Sequence, residues 1–394
     1  MSGITPKRIY MDHAAGSPVD SRVLKEMLPY FTDKFGNPSS VHSAGMEAKT
    51  AIETARGQLI QLIGAENTRE IVFTSGATES NNLALKGVAY RNKEKGNHII
   101  STPIEHMSIL NTLKSLEKEG FKITYAPVDE YGLVNVDKVK SSITSKTILI
   151  TLAYANGEIG TIQPIAEIGK VAADKGVPLH VDAVAAAGKV PINVKSEGID
   201  LMTISSNDMY GPKGMGALYV GEDVRLQPII QGGGQEMGFR SGTENVPGIV
   251  GIGKAAELAK AEMREEGKRL TKLRDRLIKG VLESVDHAYL NGHPTKRIPN
   301  NANVRFSYIE GESMILNLDM LGVAVSSGSA CTSKNLEPSH VLIGIGCAHE
   351  EAHGSLQFSL GKSNTDSDVD VILKNLPDII KKLRAMSPIA PSES

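Results

Sequence analysis

The sequence has few of the features that mark secreted, membrane-bound or nucleic-acid-binding proteins. Its 394 residues include no tryptophan and two cysteines, Cys331 and Cys347, which excludes a disulfide framework and a zinc site built on four cysteines. No apolar run reaches the roughly 18 residues of a membrane helix, and the N-terminal stretch has no apolar signal core. The 43 lysine and arginine residues nearly balance 45 aspartate and glutamate residues, without a long basic block. We therefore expect a cytoplasmic protein that binds neither membranes nor nucleic acid.

What the sequence does contain is an alternation of apolar runs and helical segments. The runs are short and β-branched: "REIVFTSG", "HIISTP", "KITYAPV", "TILITLAYA", "PLHVDAV" and "DLMTISS". Segments with helical spacing lie between several of them, and an earlier helix is predicted over residues 43–63. Strands that alternate with helices predict an α/β fold, in which a mostly parallel sheet is covered by helices on both faces.

A different pattern follows the last of these strands and predicts a second domain. Residues 247–285 have the spacing of one long, increasingly charged helix. After it, "NVRFSYI" and "GSLQFSL" predict strands of a small α+β unit. We predict a large domain over residues 15–260, and a small domain that is formed by residues 1–14 and 261–394 and carries Cys331.

The residues that follow each strand are the candidates for a functional site, because ligands of open α/β sheets bind beyond the carboxyl ends of the strands. Ala77 and Thr78 lie in a turn that opens a helix and either binds phosphate or is a plain N-cap. Asp182 ends an apolar strand, where its carboxylate needs a cationic ring nitrogen or a structural hydrogen bond. His106 lies at the start of a helix, where its neutral ring either stacks on a ligand or caps the helix. Another strand ends in the polar stretch 205–208.

Cys331 lies in a long polar stretch of small residues, "VAVSSGSACTSKNLEPSH". Free cysteine is usually buried, so a thiol on such a loop suits sulfur transfer or metal ligation, the alternative being an incidental surface cysteine. Cys347 follows an apolar helix, where we expect it to serve packing.

These segments together resemble the cysteine desulfurases of the NifS/IscS type, which are fold-type I, aminotransferase class V-like enzymes that depend on pyridoxal phosphate. The resemblance covers nearly the whole chain and includes "FGNPSSVHSAG", "VFTSGATESNNLA", "EHMSIL", "GEIGTIQPI", "HVDAV", "YGPKGMGALYV", "GGGQE", "RSGTENVPGIVG", "NNANVRFSYIEGES" and "SSGSACTSKNLEPSHVL". It implies a large domain with a sheet of seven strands between helices, and a small α+β domain. The long cysteine loop is similar to that of the subgroup that hands sulfur to iron–sulfur scaffold proteins of the IscU type.

The resemblance also implies roles for individual residues. Asp182 matches the carboxylate that keeps the pyridine nitrogen protonated, and His106 matches the ring that stacks on the pyridine and takes part in catalysis. Cys331 matches the catalytic thiol that attacks the sulfur of L-cysteine and becomes a persulfide. Thr243 matches a phosphate contact lent by the partner subunit, which implies a homodimer. The positions that match cofactor contacts are Ala77, Thr78, His106, Asp182, Ser205 and Thr243.

The chain departs from the family pattern in this same pocket. Family members have Ser-x-His-Lys before Tyr-Gly-Pro where this chain has "SSND", so Asp208 stands at the position of the Schiff-base lysine and Asn207 at that of its histidine. Three further positions lack the side chain that the family has there. Gly157 stands in place of an asparagine, and Ala185 stands in place of the glutamine that hydrogen-bonds the ring oxygen. Gln357 stands in place of the arginine that binds the substrate carboxylate. A carboxylate cannot form an imine with an aldehyde, and losing a positioned base typically costs about 10²–10⁴-fold in rate.

Three functions fit this combination of retained and lost residues. The first is a protein of iron–sulfur cluster assembly with very low lysine-dependent turnover, in which Cys331 carries a persulfide or ligates a [2Fe-2S] cluster shared with a scaffold protein. Pyridoxal phosphate is then held non-covalently or is absent. The second is an active L-cysteine desulfurase that uses non-covalently bound pyridoxal phosphate, and Lys213 is a further candidate amine. The third is a pocket remodelled for another ligand or chemistry, to which His13 contributes.

Overall fold

The computed structural model describes residues 8–327 and 338–387. Its strands are β1 Ile9–Tyr10, β2 Ile71–Thr74, β3 His98–Ser101, β4 Lys122–Tyr125, β5 Thr147–Ala153, β6 Leu179–Asp182, β7 Leu201–Ser205, β8 Gly216–Val220, β9 Ala288–Leu290, β10 Asn301–Phe306, β11 Val323–Ala324 and β12 Ser355–Ser359. Its α-helices are α1 Ser21–Met27, α2 Pro29–Thr32, α3 Ser43–Ile63, α4 Ala77–Arg91, α5 Met107–Lys118, α6 Val136–Ser142, α7 Ile165–Lys175, α8 Val246–Ser284, α9 Gly311–Met320, α10 His340–Gly344, α11 His349–His353 and α12 Asp366–Ala385. Strands and helices alternate from β2 to β6, as the sequence predicts.

A seven-stranded sheet forms the centre of the molecule, in the order β2-β8-β7-β6-β5-β3-β4. Neighbouring strands are parallel except at β8, which runs antiparallel to both β2 and β7. The segment 206–215 that joins β7 to β8 is too short for a parallel return, which needs a crossover of a dozen or more residues. The prediction of an α/β fold with a mostly parallel, seven-stranded sheet is confirmed.

The apolar runs form strands because the sheet is covered on both faces. In β2, Ile71 and Phe73 belong to one hydrophobic cluster, whereas Val72 belongs to another on the opposite face. The first cluster also contains the buried face of α3. This helix ends at Gly64 with a φ of 69°, a left-handed conformation that glycine adopts at little steric cost. The helix predicted over residues 43–63 is confirmed.

Helix α8 joins two separate hydrophobic cores. Ile249 and Ile252, in its first part, pack into the core of the large sheet. Leu273 and Leu277, in its second part, pack with residues of β10, β12 and α12. The predicted long bridging helix is confirmed, while the division into a large domain of residues 15–260 and a small domain of residues 1–14 and 261–394 remains a prediction. No helix within the described part of the chain is long and apolar enough to span a bilayer.

A buried ion pair holds the segment around Glu236 against the large sheet. Arg56 on α3 donates to the two carboxylate oxygens of Glu236 at 2.6 and 2.9 Å. The backbone N–H of Phe73 in β2 donates to the same carboxylate at 2.8 Å. Both charged side chains are almost fully buried. Without Glu236, Arg56 keeps only the half-exposed Glu53 at 3.1 Å as a carboxylate partner, and this compensates its buried charge incompletely.

We expect the Glu236→Ala variant to lose about 3–5 kcal/mol of unfolding free energy, since it breaks a buried pair by removing one partner. Chemical denaturation of the two proteins measures the difference. Glu265→Ala is the matched control, because Glu265 pairs with Lys268 at 2.9 Å on the exposed surface; it should lose less than about 1 kcal/mol. Equal losses in the two variants would contradict the assigned role of the buried pair.

Candidate active site

The residues predicted for the site meet at one edge of the large sheet. β2, β6 and β7 run in the same direction, because β8 is antiparallel to β2 and β7 while β6 is parallel to β7. Their carboxyl ends therefore lie together, with Asp182 at the end of β6 and Ser205 at the end of β7. α4 begins at Ala77 shortly after β2, and α5 begins directly after His106.

A chain of hydrogen bonds links Asp182 to His106. The amide nitrogen of Asn81, on the buried face of α4, donates to Asp182 Oδ2 at 2.8 Å and to the Ser108 hydroxyl at 2.8 Å. The Ser108 hydroxyl lies 2.8 Å from His106 Nδ1, and the Val184 backbone N–H donates to Asp182 Oδ1 at 3.0 Å. Asp182 is thus held in a fixed orientation, and its oxygens keep lone pairs for a ligand N–H.

The turn between β2 and α4 presents backbone N–H groups to a ligand. Gly76 precedes the helix with a φ of 148°, a positive value that favours glycine. Within the described residues no side chain caps α4, so the first N–H groups of the helix and its dipole favour an anion. Gly216, the cross-strand partner of Ser205, lies so close that an added Cβ would be 2.7 Å from Gly76 Cα. The turn and Ser205 are therefore neighbours, an arrangement that suits a phosphate.

Asp208 lies in the same pocket, and a lysine from another segment lies beside it. Lys189 Nζ is 3.8 Å from Asp208 Oδ1, and the two side chains are 18% and 11% exposed. Burial raises the pKa of Asp208, while the charge of Lys189 opposes that shift. Burial lowers the pKa of Lys189. The charge of Asp182 also raises the pKa of Asp208, while the charge of His106 lowers it.

The other departures from the family pattern border this space. An added Cβ on Gly157 would meet the Ala185 Cβ at 3.7 Å and no other neighbour among the described residues within 4 Å, so two lost side chains leave adjoining room. Gln357 Nε2 donates to the Gly157 carbonyl at 2.7 Å, and this side chain is thus bound to the backbone. Asn207 Oδ1 accepts the Ser17 N–H at 3.3 Å. None of these altered positions supplies a cation for a substrate carboxylate; they are Gly157, Ala185, Asn207 and Gln357.

Glu105 is a buried acid of this site that follows a strand, as the sequence indicates, and to which the sequence analysis assigns no role. It precedes His106 and is 3% exposed. The Thr102 hydroxyl donates to Glu105 Oε1 at 2.5 Å, and Oε2 has no hydrogen-bond partner among the described residues. Burial, with a smaller contribution from the charge of Asp182, raises the pKa of Glu105 to about 8. The side chain is therefore mostly protonated at neutral pH.

This raised pKa makes the stability of the protein fall with rising pH. Between its ordinary value of 4.5 and the folded-state value of about 8, Glu105 binds more protons in the folded chain than in the unfolded chain. Its contribution to stability is therefore present below about pH 4.5 and lost as the pH rises through about 8. As the pH rises from about 5 to about 8, the melting temperature of the Glu105→Gln variant should fall less than that of the parent. Parallel curves for parent and variant would contradict the assigned protonation.

The remaining predicted residues lie at the margin of the site or beyond the described chain. Thr243 is exposed, and Arg240 in the same segment pairs with Glu79 of α4 at 2.9 Å, which brings the segment near the phosphate turn. Cys331 lies outside the described residues. Cys347 is partly buried, and burial raises the pKa of its thiol. In residues 8–327 and 338–387, no group of three or more histidine, cysteine, aspartate or glutamate side chains could hold a metal ion.

Comparison with known proteins gives one consistent family. The model of the aminotransferase class-V family matches residues 9–372. Cysteine desulfurase IscS 1 of Archaeoglobus fulgidus is 57% identical over 380 residues, which cover 96% of this chain and 99% of that protein. Cysteine desulfurase IscS of Methanosarcina thermophila is 53% identical over 387 residues, which cover 98% and 95%. A solved NifS-like protein has a TM-score of 0.89 and 38% identity, covering 95% of this chain and 100% of that one.

The chain therefore belongs to the aminotransferase class-V family, as the matched residues span most of its length. The two relatives match along nearly the whole chain at more than half identity, and this places it among the cysteine desulfurases of the IscS type. The resemblance seen in the sequence is confirmed.

The family depends on pyridoxal phosphate, and the pocket fits most of that cofactor. The uncapped start of α4 and Ser205 suit its phosphate. Asp182, oriented by Asn81, suits a protonated ring nitrogen. The position expected to supply an amine holds the carboxylate of Asp208 instead. The described residues therefore fit a cofactor that is held without a covalent bond at position 208.

Proposed function

We propose that this chain is a protein of iron–sulfur cluster assembly in which Cys331 carries a persulfide, or ligates a nascent [2Fe-2S] cluster, for a scaffold protein of the IscU type. Its own turnover of L-cysteine is very low. The observation that carries the proposal is the Asp208 carboxylate, which stands at the lysine position beside Lys189. The desulfurase names of the relatives support the link to sulfur transfer.

In this proposal the retained residues bind and orient the cofactor. The N-terminus of α4 and the Ser205 hydroxyl hold its phosphate, and Thr243 of a second copy completes this contact in a homodimer. Asp182 keeps the ring nitrogen protonated, and His106 stacks on the ring. When bound, pyridoxal phosphate supplies an electron sink for bond breaking at the substrate α-carbon.

The substituted residues remove the groups that handle the substrate. The Asp208 carboxylate cannot join an aldehyde through a carbon–nitrogen double bond, and it is a weaker base than an amine for the α-carbon proton. Gln357 cannot replace the bidentate ion pair that arginine forms with a carboxylate, and its amide already donates to the Gly157 carbonyl. These losses together account for very low turnover, although their effects need not add.

Sulfur then reaches Cys331 from a persulfide donor outside this pocket: the Cys331 thiolate attacks the donor's outer sulfur, a new S–S bond forms as the donor's S–S bond breaks, and the donor thiolate leaves. A cysteine thiolate is a soft ligand that suits iron, and as a nucleophile it can accept and pass on sulfur. We include a cytoplasmic location in the proposal, because a reducing compartment keeps such a thiol free of disulfides.

An absorption spectrum of the purified protein with added pyridoxal phosphate, recorded before and after L-cysteine with sulfide assayed alongside, tests this function. We expect a band of bound cofactor that desalting removes, and sulfide at the level of a sample without protein. Sulfide release well above that level would contradict the low turnover that Asp208 implies.

A second candidate is an active L-cysteine desulfurase with non-covalently held pyridoxal phosphate. It is favoured by the hydrogen bonds that still orient Asp182 and His106 through Asn81 and Ser108. Free pyridoxal phosphate can also combine with cysteine directly, without displacing a lysine. Sulfide that requires both added cofactor and Cys331 would establish this candidate and replace the first.

A further inference from the structure

The pocket contains an amine to which none of the roles above applies. Lys189 lies at the end of the turn that follows β6. Gly188 in this turn has a φ of 75°, and an added Cβ there would lie 2.9 Å from Ala259 Cβ and 3.1 Å from Met209 Cγ. The turn is therefore packed tightly against α8 and against the residue next to Asp208. This packing fixes Lys189 beside the carboxylate at the lysine position.

Lys189 is the cation in contact with Asp208. Its ammonium nitrogen lies 3.8 Å from Asp208 Oδ1 and donates to the Ala185 carbonyl at 3.2 Å. Both side chains are largely buried. A buried pair of this kind keeps its charges together, because removing one partner leaves the other without compensation.

The other lysines near this region have different acceptors. Lys213, the candidate amine from the sequence, donates to the Ser17 carbonyl at 3.1 Å. Lys362 pairs with Asp20 at 3.2 Å and with Glu262 at 2.7 Å. Neither amine forms an ion pair with Asp208 among the described residues.

The cavity next to the pair contains further titratable groups, and no other cation among its described lining residues pairs with Asp208. It is lined by Lys189 and Asp208 together with His13, Glu262, Glu266 and Lys362. Burial and the nearby charge of Lys189 lower the pKa of His13 to about 4, so its ring is neutral at physiological pH. Among the described residues, Lys189 is therefore the cation that pairs with Asp208, while the charge of His106 also acts on that carboxylate.

Asp208 presents an electrostatic problem for an anionic cofactor. It follows Ser205, the proposed phosphate contact, by three positions, and the charge of Asp182 already acts on it. Asp182 has a partner in a protonated ring nitrogen, whereas Asp208 has none on the cofactor. A carboxylate without a counter-charge repels a phosphate in the same pocket, and at a separation of several ångströms this repulsion weakens binding by about tenfold.

We propose that Lys189 is a positioning residue for the cofactor, whose ammonium group neutralises Asp208 so that the pocket accepts pyridoxal phosphate without a lysine at position 208. This inference rests on the proposed function, because it takes pyridoxal phosphate as the ligand. It assigns the amine of Lys189 an electrostatic role and no covalent bond.

A double-mutant cycle on the dissociation constant of pyridoxal phosphate, titrated into the full chain, tests this role. Lys189→Met should weaken binding by about tenfold, and adding Asp208→Asn should restore most of the loss because the two side chains act on each other. Lys189→Arg, which keeps the charge, should bind within about threefold of the parent. Pyridoxal, which lacks the phosphate, should bind the parent and Lys189→Met almost equally.

Lys195→Met is the matched control, because Lys195 pairs with buried Glu70 at 2.7 Å away from this cavity. It should leave the dissociation constant unchanged. If Lys189→Met does not fold, Asp208→Asn decides alone: it should tighten binding, since Lys189 then faces the phosphate without a counter-charge.

Several results would overturn the inference. One is that Lys189→Met and Asp208→Asn change the dissociation constant of pyridoxal phosphate independently of each other. A second is that Lys189→Met weakens the binding of pyridoxal and of pyridoxal phosphate equally. A third is that Asp208→Asn binds pyridoxal phosphate more weakly than the parent. Borohydride capture of the cofactor on Lys189, located by peptide mapping, would also overturn it by making the amine a covalent anchor. A parent protein that binds no pyridoxal phosphate would end this inference but not the role of Cys331. If the protein binds pyridoxal phosphate but releases no sulfide, the double-mutant cycle still tests the inference, because it measures binding alone.

Discussion

The Asp208→Lys variant should bind pyridoxal phosphate covalently and gain about 10²–10⁴-fold in L-cysteine turnover, because it restores an amine that serves as both anchor and positioned base. The ammonium group of Lys189, 3.8 Å from the present carboxylate, should lower the pKa of the new amine and favour its reactive, neutral form. Absorption spectra after desalting measure the covalent bond, and a sulfide assay measures turnover.

Asp208→Met is the control for this experiment, since it removes the carboxylate without supplying an amine and should gain no turnover. We expect the lysine variant to remain below the rate of a complete site. Gly157 has no positive φ and has room for a Cβ, so Gly157→Asn can be added together with Ala185→Gln. These additions should raise turnover further. Full activity from Asp208→Lys alone would contradict separate roles for Gly157, Ala185 and Gln357.

The Cys331→Ser variant should reduce cluster formation on a complex with an IscU-type scaffold to the level of the scaffold alone. A serine hydroxyl keeps nearly the size of the thiol, but it forms no persulfide and is a hard, weak ligand for iron. Reconstitution of the complex with iron, a persulfide donor and a thiol reductant that reduces the transferred sulfur to sulfide, followed by visible absorption, measures the effect.

Cys347→Ser is the matched control for this second prediction. Cys347 is partly buried after α10, and burial raises the pKa of its thiol, so it is a poorer nucleophile than a loop thiol. This variant should retain cluster formation. Unchanged assembly with Cys331→Ser, or equal loss in both variants, would exclude Cys331 as the sulfur carrier or ligand.

The fold could be predicted from the sequence where periodicity and chain length leave one solution. The spacing of apolar residues predicted α3 and the long helix α8, because each buries one continuous face. The direction of β8 could not be predicted from its apolar run, because the run "GALYV" is the same in a parallel or an antiparallel pair. The direction follows instead from the length of segment 206–215, which is too short for a parallel connection. That length is known only once the ends of β7 and β8 are known.

The site could be predicted in part for a related reason. Asp182 and Ser205 end strands, and His106 begins a helix, so their positions along the chain already predict a shared sheet edge. Asn81 and Lys189 could not be predicted in this way, because each acts on a carboxylate from a different segment of the chain. The contact of Lys189 with Asp208 depends on how one turn packs on the next, which no local pattern encodes. The roles of Thr243 and Cys331 remain predictions.

We expect helix α8 to couple the unfolding of the two hydrophobic cores. Its backbone continues without interruption from one hydrophobic core to the other. If either core unfolds, half of the helix loses its cover, and a solvated helix of that length is only marginally stable in water. We therefore expect one calorimetric transition for both cores, although cooperative all-or-none unfolding is more usual in chains below about 150 residues. A ligand bound at the edge of the large sheet should then raise the melting temperature of the distant β10 sheet as well.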